Sequence, residues 1–336
     1  MSELELPTGQ FFPWQLDFHD RITQQIKDQK IPHALLFSGV ADIGKKEFAF
    51  ALGAQMLCQK TSTGEACGGC TSCLLIRAGT HPDLFVVRPV ESRQIKIEQI
   101  REVVGWATQT AQQGGRKVAI VFPAEQMNQA SGNALLKCLE EPPAGTYFLL
   151  VTDQPGRLLP TIRSRCQKVS FPIPLADSVM GWLEENSEAG TDLPLLLNLA
   201  VGAPLRVNRF DSEFLKRRSA LKRCIDRIIL EDPSAIGSAD KLIHKDKPAE
   251  VYDVLYGLFA DALRLKLTGS NKGIINIDLE EFIKVISDKY SSQGLLAIVE
   301  HILFCRKTMG DTTNPNPQLL LESLLIDIAG GELAIE

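Results

Sequence analysis

Two periodicities divide the chain. In its first half, short apolar runs alternate with segments whose apolar residues recur at helical spacing. His33-Ala34-Leu35-Leu36-Phe37-Ser38 reads as a buried strand that ends at Gly39. From Lys45 to Leu57, Phe48, Leu52 and Met56 recur every four positions, the apolar stripe of a helix. Further strands are predicted at Leu84 to Val87, Lys117 to Phe122, Thr146 to Thr152 and Gln167 to Phe171, with helical segments before and between most of them. One of these helices, Asn128 to Glu141, is stopped by Pro142-Pro143. Strands separated by helices imply a parallel sheet covered on both faces. An α/β domain over about residues 1–173 is expected.

After Phe171-Pro172-Ile173-Pro174 the strand signal stops. Short amphipathic helices at Asp177 to Glu185 and Pro194 to Ala200, broken at Gly190 and Gly202, predict a small helical unit over 174–210. Longer helices follow at Glu213 to Leu230, Pro248 to Leu267, Leu279 to Ser287, Gln293 to Lys307 and Gln318 to Ile328. They are punctuated by Gly269-Ser270-Asn271 and Asn314-Pro315-Asn316-Pro317. A helical bundle over 211–336 is the natural reading. Three parts suit a chain of 336 residues, more than twice the usual span of one domain.

Composition narrows the function classes. The longest apolar runs, such as Ala34 to Phe37 and Phe148 to Val151, fall far short of the roughly 20 residues needed to cross a bilayer. The acidic start, Met1-Ser2-Glu3-Leu4-Glu5, lacks the pattern of an export signal, so a cytoplasmic location is expected. Lys and Arg total 36 against 41 Asp and Glu, a net charge of −5. That balance argues against a protein that neutralises many nucleic-acid phosphates by itself.

Eight cysteines in a chain expected to stay in the cytosol are an odd choice for disulfides. Their spacing is more telling. Cys58-x8-Cys67-x2-Cys70-x2-Cys73 places four thiols in one short stretch, with Gly64, Gly68 and Gly69 supplying the freedom that tight turns need. Four soft ligands favour Zn²⁺. An iron–sulfur cluster shares the C-x2-C-x2-C pattern but lacks here its usual fourth cysteine with a following proline. Free thiols are the remaining alternative. Four protein ligands would close the coordination shell, so a bound metal is expected to be structural. His81, followed by Pro82-Asp83 and a strand, reads as a loop-capping residue rather than a ligand.

Gly39-Val40-Ala41-Asp42-Ile43-Gly44-Lys45-Lys46 follows a strand and opens a helix, as a phosphate-binding loop requires; Gly39, Gly44 and Lys45 fit that role. The next position should carry a hydroxyl for Mg²⁺, and Lys46 stands there instead. An acidic pair is needed at the end of a second strand, where this chain has Phe122-Pro123; the nearest acid, Glu125, lies further along. ATP hydrolysis by this chain is therefore not expected, and the loop reads as vestigial. A basic patch of Arg157, Arg163, Arg165 and Lys168 surrounds Ser164-Arg165-Cys166. It reads either as a solvated, helix-ending cluster or as an arginine finger, a guanidinium that stabilises γ-phosphate charge on a neighbouring subunit.

Several strings taken together resemble the AAA+ clamp-loader subunits of bacterial DNA polymerase III: Pro13-Trp14-Gln15, His33 to Gly39, the four cysteines, Ala78-Gly79-Thr80-His81-Pro82-Asp83, Asn133 to Pro143, Ser164-Arg165-Cys166 and Asn316 to Glu322. The departures at Lys46 and Phe122-Pro123 resemble the non-hydrolysing member of that family. A further departure is Gly202-Ala203-Pro204-Leu205-Arg206, where Leu205 stands in the place of the family's sensing arginine and Arg206 falls one residue late.

The resemblance implies a P-loop NTPase-like domain with an inserted zinc module, a small helical lid and a helical collar that joins five subunits in a ring. It implies that Cys58, Cys67, Cys70 and Cys73 hold Zn²⁺, that gamma/tau and delta are the partners in the ring, that ATP is bound by partner subunits rather than by this chain, and that Arg165 reaches the neighbouring ATP site. The sliding clamp and primer–template DNA would be met through the complex. Two rival readings from other classes are an autonomous P-loop ATPase, disfavoured by Lys46 and Phe122-Pro123, and a solitary zinc-dependent DNA-binding protein, disfavoured by the −5 charge.

Overall fold

Five short runs of branched and aromatic residues form the strands β1 (Ala34–Ser38), β2 (Leu84–Val87), β3 (Lys117–Val121), β4 (Thr146–Thr152) and β5 (Gln167–Ser170) in the computed structural model. That model describes residues 11–60, 64–90, 92–188, 192–232, 236–237, 242–243, 248–310 and 315–330. Met1 to Glu5, Gly190 and Asn314, used above, lie outside the described residues. All pairings are parallel in the order β2-β3-β4-β1-β5, with Leu36 opposite Leu150 and Val121 also opposite Leu150 across β4. This is the parallel sheet, with helices between its strands, that the alternation of apolar runs implies.

The described residues fall into two compact units, 1–189 with 202–206 and 190–201 with 207–336. The first contains the sheet and the helices α1 (Leu16–Lys27), α2 (Lys45–Leu57), α3 (Thr71–Arg77), α4 (Ile97–Ala107), α5 (Gln129–Glu140), α6 (Pro160–Arg165) and α7 (Ala176–Asn186). Side chains alternate across a strand. Leu35 and Phe37 of β1 therefore pack with Phe48 and Leu52 of α2, while Ala34 and Leu36 pack with Ile100 and Val103 of α4 and Leu135 and Leu139 of α5. Burial on both faces explains why β1 reads as an unbroken apolar run rather than an alternating one.

The second unit holds α8 (Leu193–Leu199), α10 (Ser212–Ile229), α11 (Glu250–Thr268), α12 (Glu280–Lys289), α13 (Ser292–Gly310) and α14 (Pro317–Gly330); the short α9 (Pro204–Val207) straddles the boundary. Its core is built on Tyr252, Leu255 and Phe259 of α11 with Ile225, Ile283, Ile302 and Leu325 from four other helices. A buried polar network crosses it. Arg218 holds Asp278 with two hydrogen bonds of 2.6 and 2.7 Å and donates to Asn276, and the Asp261 carboxylate accepts the Ile275 and Asn276 backbone N–H groups. Among the described residues no helix is long and apolar enough to cross a membrane.

Candidate functional site

The loop from Gly39 to Lys45 joins β1 to α2. Gly44 is the residue before α2, at φ +89°, and a Cβ there would come within 2.6 Å of the Phe12 ring and the Gln15 amide, so only glycine fits. Those neighbours hold the loop from outside. Trp14 Nε1 donates to the Ile43 carbonyl (3.0 Å) and Gln15 Nε2 to the Gly44 carbonyl (2.7 Å). Lys45 is buried, with Nζ 2.6 Å from Asp153 Oδ1 and donating to the Val40 carbonyl. Asp153 directly follows β4, and its N–H donates to Glu125 Oε1 (3.1 Å). Arg206 Nε lies 3.3 Å from Asp42 Oδ2.

A magnesium ion in a working site would sit between the hydroxyl after the loop lysine and the acid after the second strand. Here those two positions face each other as Lys46 and Phe122, the ammonium lying 5.7 Å from the ring centroid. The pair supplies no oxygen ligand. Glu125, in a 3-10 turn at Ala124–Gln126, is directed instead to the Asp153 backbone.

The four cysteines converge, their sulfurs all within 4.8 Å of one another, with Cys58 to Cys70 at 3.9 Å and Cys67 to Cys73 at 4.0 Å. A tetrahedral ion with bonds of about 2.3 Å would set sulfurs about 3.8 Å apart, so the arrangement fits a single metal ion. The local fold makes this geometry. Cys58 follows α2, Gly68 takes φ +70° to turn the chain between ligands, and Cys70 caps α3, its sulfur accepting the Cys73 N–H. The Lys60 and Cys67 N–H groups point at the Cys58 sulfur. Burial would raise the Cys70 thiol, but the backbone N–H groups of Cys73 and Gln59 and the neighbouring thiols outweigh it and bring it down to about 6. Burial pushes Cys73 up to about 12. His81 stands outside the cluster. Its Nδ1 accepts the Asp83 N–H (3.0 Å) and its Nε2 meets Ser72 Oγ (2.9 Å), so it closes a loop.

Arg157 lies in a 3-10 turn, Arg163 and Arg165 on α6, and Lys168 on β5. Arg165 does not hang free: Nη2 lies 2.5 Å from Glu140 Oε1 at the end of α5, and Nη1 donates to the Thr161 carbonyl. Ser164 Oγ donates to the same carbonyl. Cys166 is buried, and burial pushes its thiol up to about 12, as suits a packing residue.

Comparison with known proteins decides the family. The chain is 36% identical over 329 residues to the DNA polymerase III subunit delta' of Pseudomonas aeruginosa, covering 95% of this chain and 97% of that protein. It is 30% identical to the Escherichia coli K12 subunit of the same name, with 95% of each covered. The chain belongs to the delta-prime family of DNA polymerase III clamp-loader subunits. Two family models match it within this assignment, "DNA polymerase III, delta subunit" over 14–174 and its C-terminal counterpart over 212–330. A gamma subunit-related protein of Thermotoga maritima aligns over 94% of this chain and 99% of its own at 18% identity and a TM-score of 0.46.

Within this delta-prime chain some supporting residues were given no role by the sequence. Asp83 is buried and takes the Gln112 and Gln113 N–H groups at 2.8 and 2.6 Å. Lys117 at the start of β3 is also buried; its ammonium donates to the Trp106 and Gln109 carbonyls and lies 4.2 Å from the Trp106 ring centroid. Burial lowers its pKa and the Asp83 charge partly restores it. Asp83 ends the Ala78-to-Asp83 string, which carries the resemblance without saying what the carboxylate holds, and Asp153 has no local signal at all.

Proposed function

We propose that the chain is the non-hydrolysing subunit of a clamp loader: it joins gamma/tau and delta partners in a hetero-pentameric ring in the cytoplasm and helps the ATP-driven ring load a sliding clamp onto primer–template DNA. The observation that carries the non-hydrolysing role is the Lys46–Phe122 contact, which puts a cation and an aromatic ring where a magnesium ion needs two oxygen ligands. ATP is bound by the partners. Residues 1–173 act as the α/β wall, 174–210 as the lid and 211–336 as the collar.

Arg165, within Ser164-Arg165-Cys166, serves as the finger for the neighbouring ATP site. Its support is the helix that carries it, α6, which is anchored by the buried Leu158, Ile162 and Cys166 while the Arg165 guanidinium stays partly exposed. A rigid base with an exposed guanidinium suits a group that must reach a phosphate on another chain. Cys58, Cys67, Cys70 and Cys73 hold Zn²⁺, which would supply no chemistry beyond fixing the module. In a reconstituted complex, Arg165→Ala is expected to assemble normally and to reduce hydrolysis at the adjacent site by about 10³ or more. Unchanged single-turnover hydrolysis at that site would remove the finger role.

A further inference from the structure

An arginine that acts on another chain has a long side chain to order when its target arrives, and that ordering opposes the reaction. Here the side chain is ordered in advance by two helix ends. Arg165 is the last residue of α6, and Glu140 is the last residue of α5. Both helices are held by one core, to which α5 contributes Leu135, Cys138 and Leu139 and α6 contributes Ile162. They pack so closely that a Cβ on Gly132 would come within 2.7 Å of the Leu159 side chain. His33 Nε2 donates to the Leu139 carbonyl at 2.9 Å, which fixes the end of α5 beside the start of β1. On this frame the guanidinium is gripped from both sides. Nη2 lies 2.5 Å from Glu140 Oε1, and Nη1 donates at 3.0 Å to the Thr161 carbonyl, which also accepts from Ser164 Oγ. Nε takes part in no hydrogen bond among the described residues, so part of the donor fork stays open. The position of Glu140 is not explained by its own helix: a carboxylate at a helix C-terminus meets the negative end of the dipole and destabilises it. Its ion pair among the described residues is with Arg165.

We infer that Glu140 is a positioning residue for the finger: its carboxylate and the Thr161 carbonyl hold the Arg165 guanidinium in the orientation in which it meets the γ-phosphate on the neighbouring subunit. The inference rests on the finger reading of Arg165 and adds a second residue to it. Glu140 itself touches no nucleotide. It fixes the guanidinium plane before the phosphate arrives, so the ordering cost falls on folding rather than on the chemical step.

The test is a double-mutant cycle in the reconstituted complex, read as single-turnover hydrolysis at the adjacent site alongside ATP affinity and assembly. The Arg165 and Glu140 side chains are 34% and 48% exposed, and a pair so open contributes a factor of about five at most. A guanidinium displaced by about 1 Å loses up to about 10². Glu140→Ala is therefore expected to slow hydrolysis by between about fivefold and about a hundredfold, with ATP affinity and assembly unchanged. Glu140→Gln, whose amide oxygen still accepts the Nη2 N–H, is expected to recover most of the rate. In an Arg165→Ala background, Glu140→Ala is expected to change nothing further. A Glu140→Ala rate within about twofold of wild type, or above it, would overturn the inference, as would a Gln variant no better than Ala or equal losses in both backgrounds. Should Glu140→Ala not assemble, Glu140→Ser decides by the same criteria. If Arg165→Ala leaves hydrolysis unchanged, the finger reading and this inference fall together; if Arg165→Ala is slow and Glu140→Ala is normal, only this inference falls.

Discussion

Removing the metal from the cysteine cluster is expected to open the module it closes and to leave the sheet folded. The reason is the scarcity of other packing there. Between Cys67 and Ala78 the buried side chains are Cys70, Ser72, Cys73 and Ile76, of which only Ile76 is a large aliphatic group. A metal linking Cys58 to Cys73 closes a loop of about 16 residues, a constraint worth about 3 kcal/mol in the chain-entropy model. Losing it should raise local opening by about a hundredfold, since each 1.4 kcal/mol is tenfold. The sheet has its own core on both faces, to which the module contributes only Ile76 and the partly buried Ala66. Elemental analysis of purified chain should find one zinc per molecule, and hydrogen exchange read by mass spectrometry after chelation should lose protection over residues 64–78. Purified protein without stoichiometric metal would refute the reasoning, as would unchanged exchange in that segment once the metal has left, or a loss spread equally through β1, β3 and β4.

Asp83→Ala removes a buried charged acceptor from the backbone N–H groups of Gln112 and Gln113, which water can reach; with bonds to a charged group worth about 1.5–3 kcal/mol each at most, a loss of about 2–3 kcal/mol is expected in denaturant unfolding, and a loss under about 1 kcal/mol would contradict it. His81 gives a pH signature. Burial lowers its pKa, against the opposing Asp83 charge, and its Nδ1 must stay unprotonated to accept the Asp83 N–H. The unfolded chain therefore takes up the proton first, and the stability this residue contributes is present above about pH 6.5 and declines as pH falls below it. The difference in unfolding midpoint between wild type and His81→Gln should shrink from pH 7.5 to pH 5; a difference that grows would reverse the assignment.

Most of the fold was legible from pattern. The five strands lie where the apolar runs put them, and α2 spans Lys45–Leu57 as the Phe48, Leu52 and Met56 stripe requires. Such periodicity is a local consequence of backbone geometry, so it survives in the sequence. Helices α1, α3 and α4 were not individually legible. Part of the reason is length: α3 has seven residues, and its start is fixed by the Cys70 cap rather than by an apolar stripe. Glu125 sits in a 3-10 turn and accepts a backbone N–H beyond β4, a partner that no spacing along the chain announces.

The sequence by itself determined the alternation of strand and helix, the close spacing of the four cysteines that could hold a metal ion, and the presence of Lys46 and Phe122 where a phosphate-loop enzyme carries a hydroxyl and an acid, because each depends on residue type and short spacing alone. Only the tertiary structure decided which groups those residues meet. Lys45 reaches Asp153, Lys46 reaches Phe122 and Arg165 reaches Glu140, pairs that lie on different elements. Parallel strands in the order β2-β3-β4-β1-β5 need a crossover at every step, so elements distant in the chain become neighbours in space. The sheet order that turned the phosphate loop toward the end of β4 is therefore what put a carboxylate on its lysine.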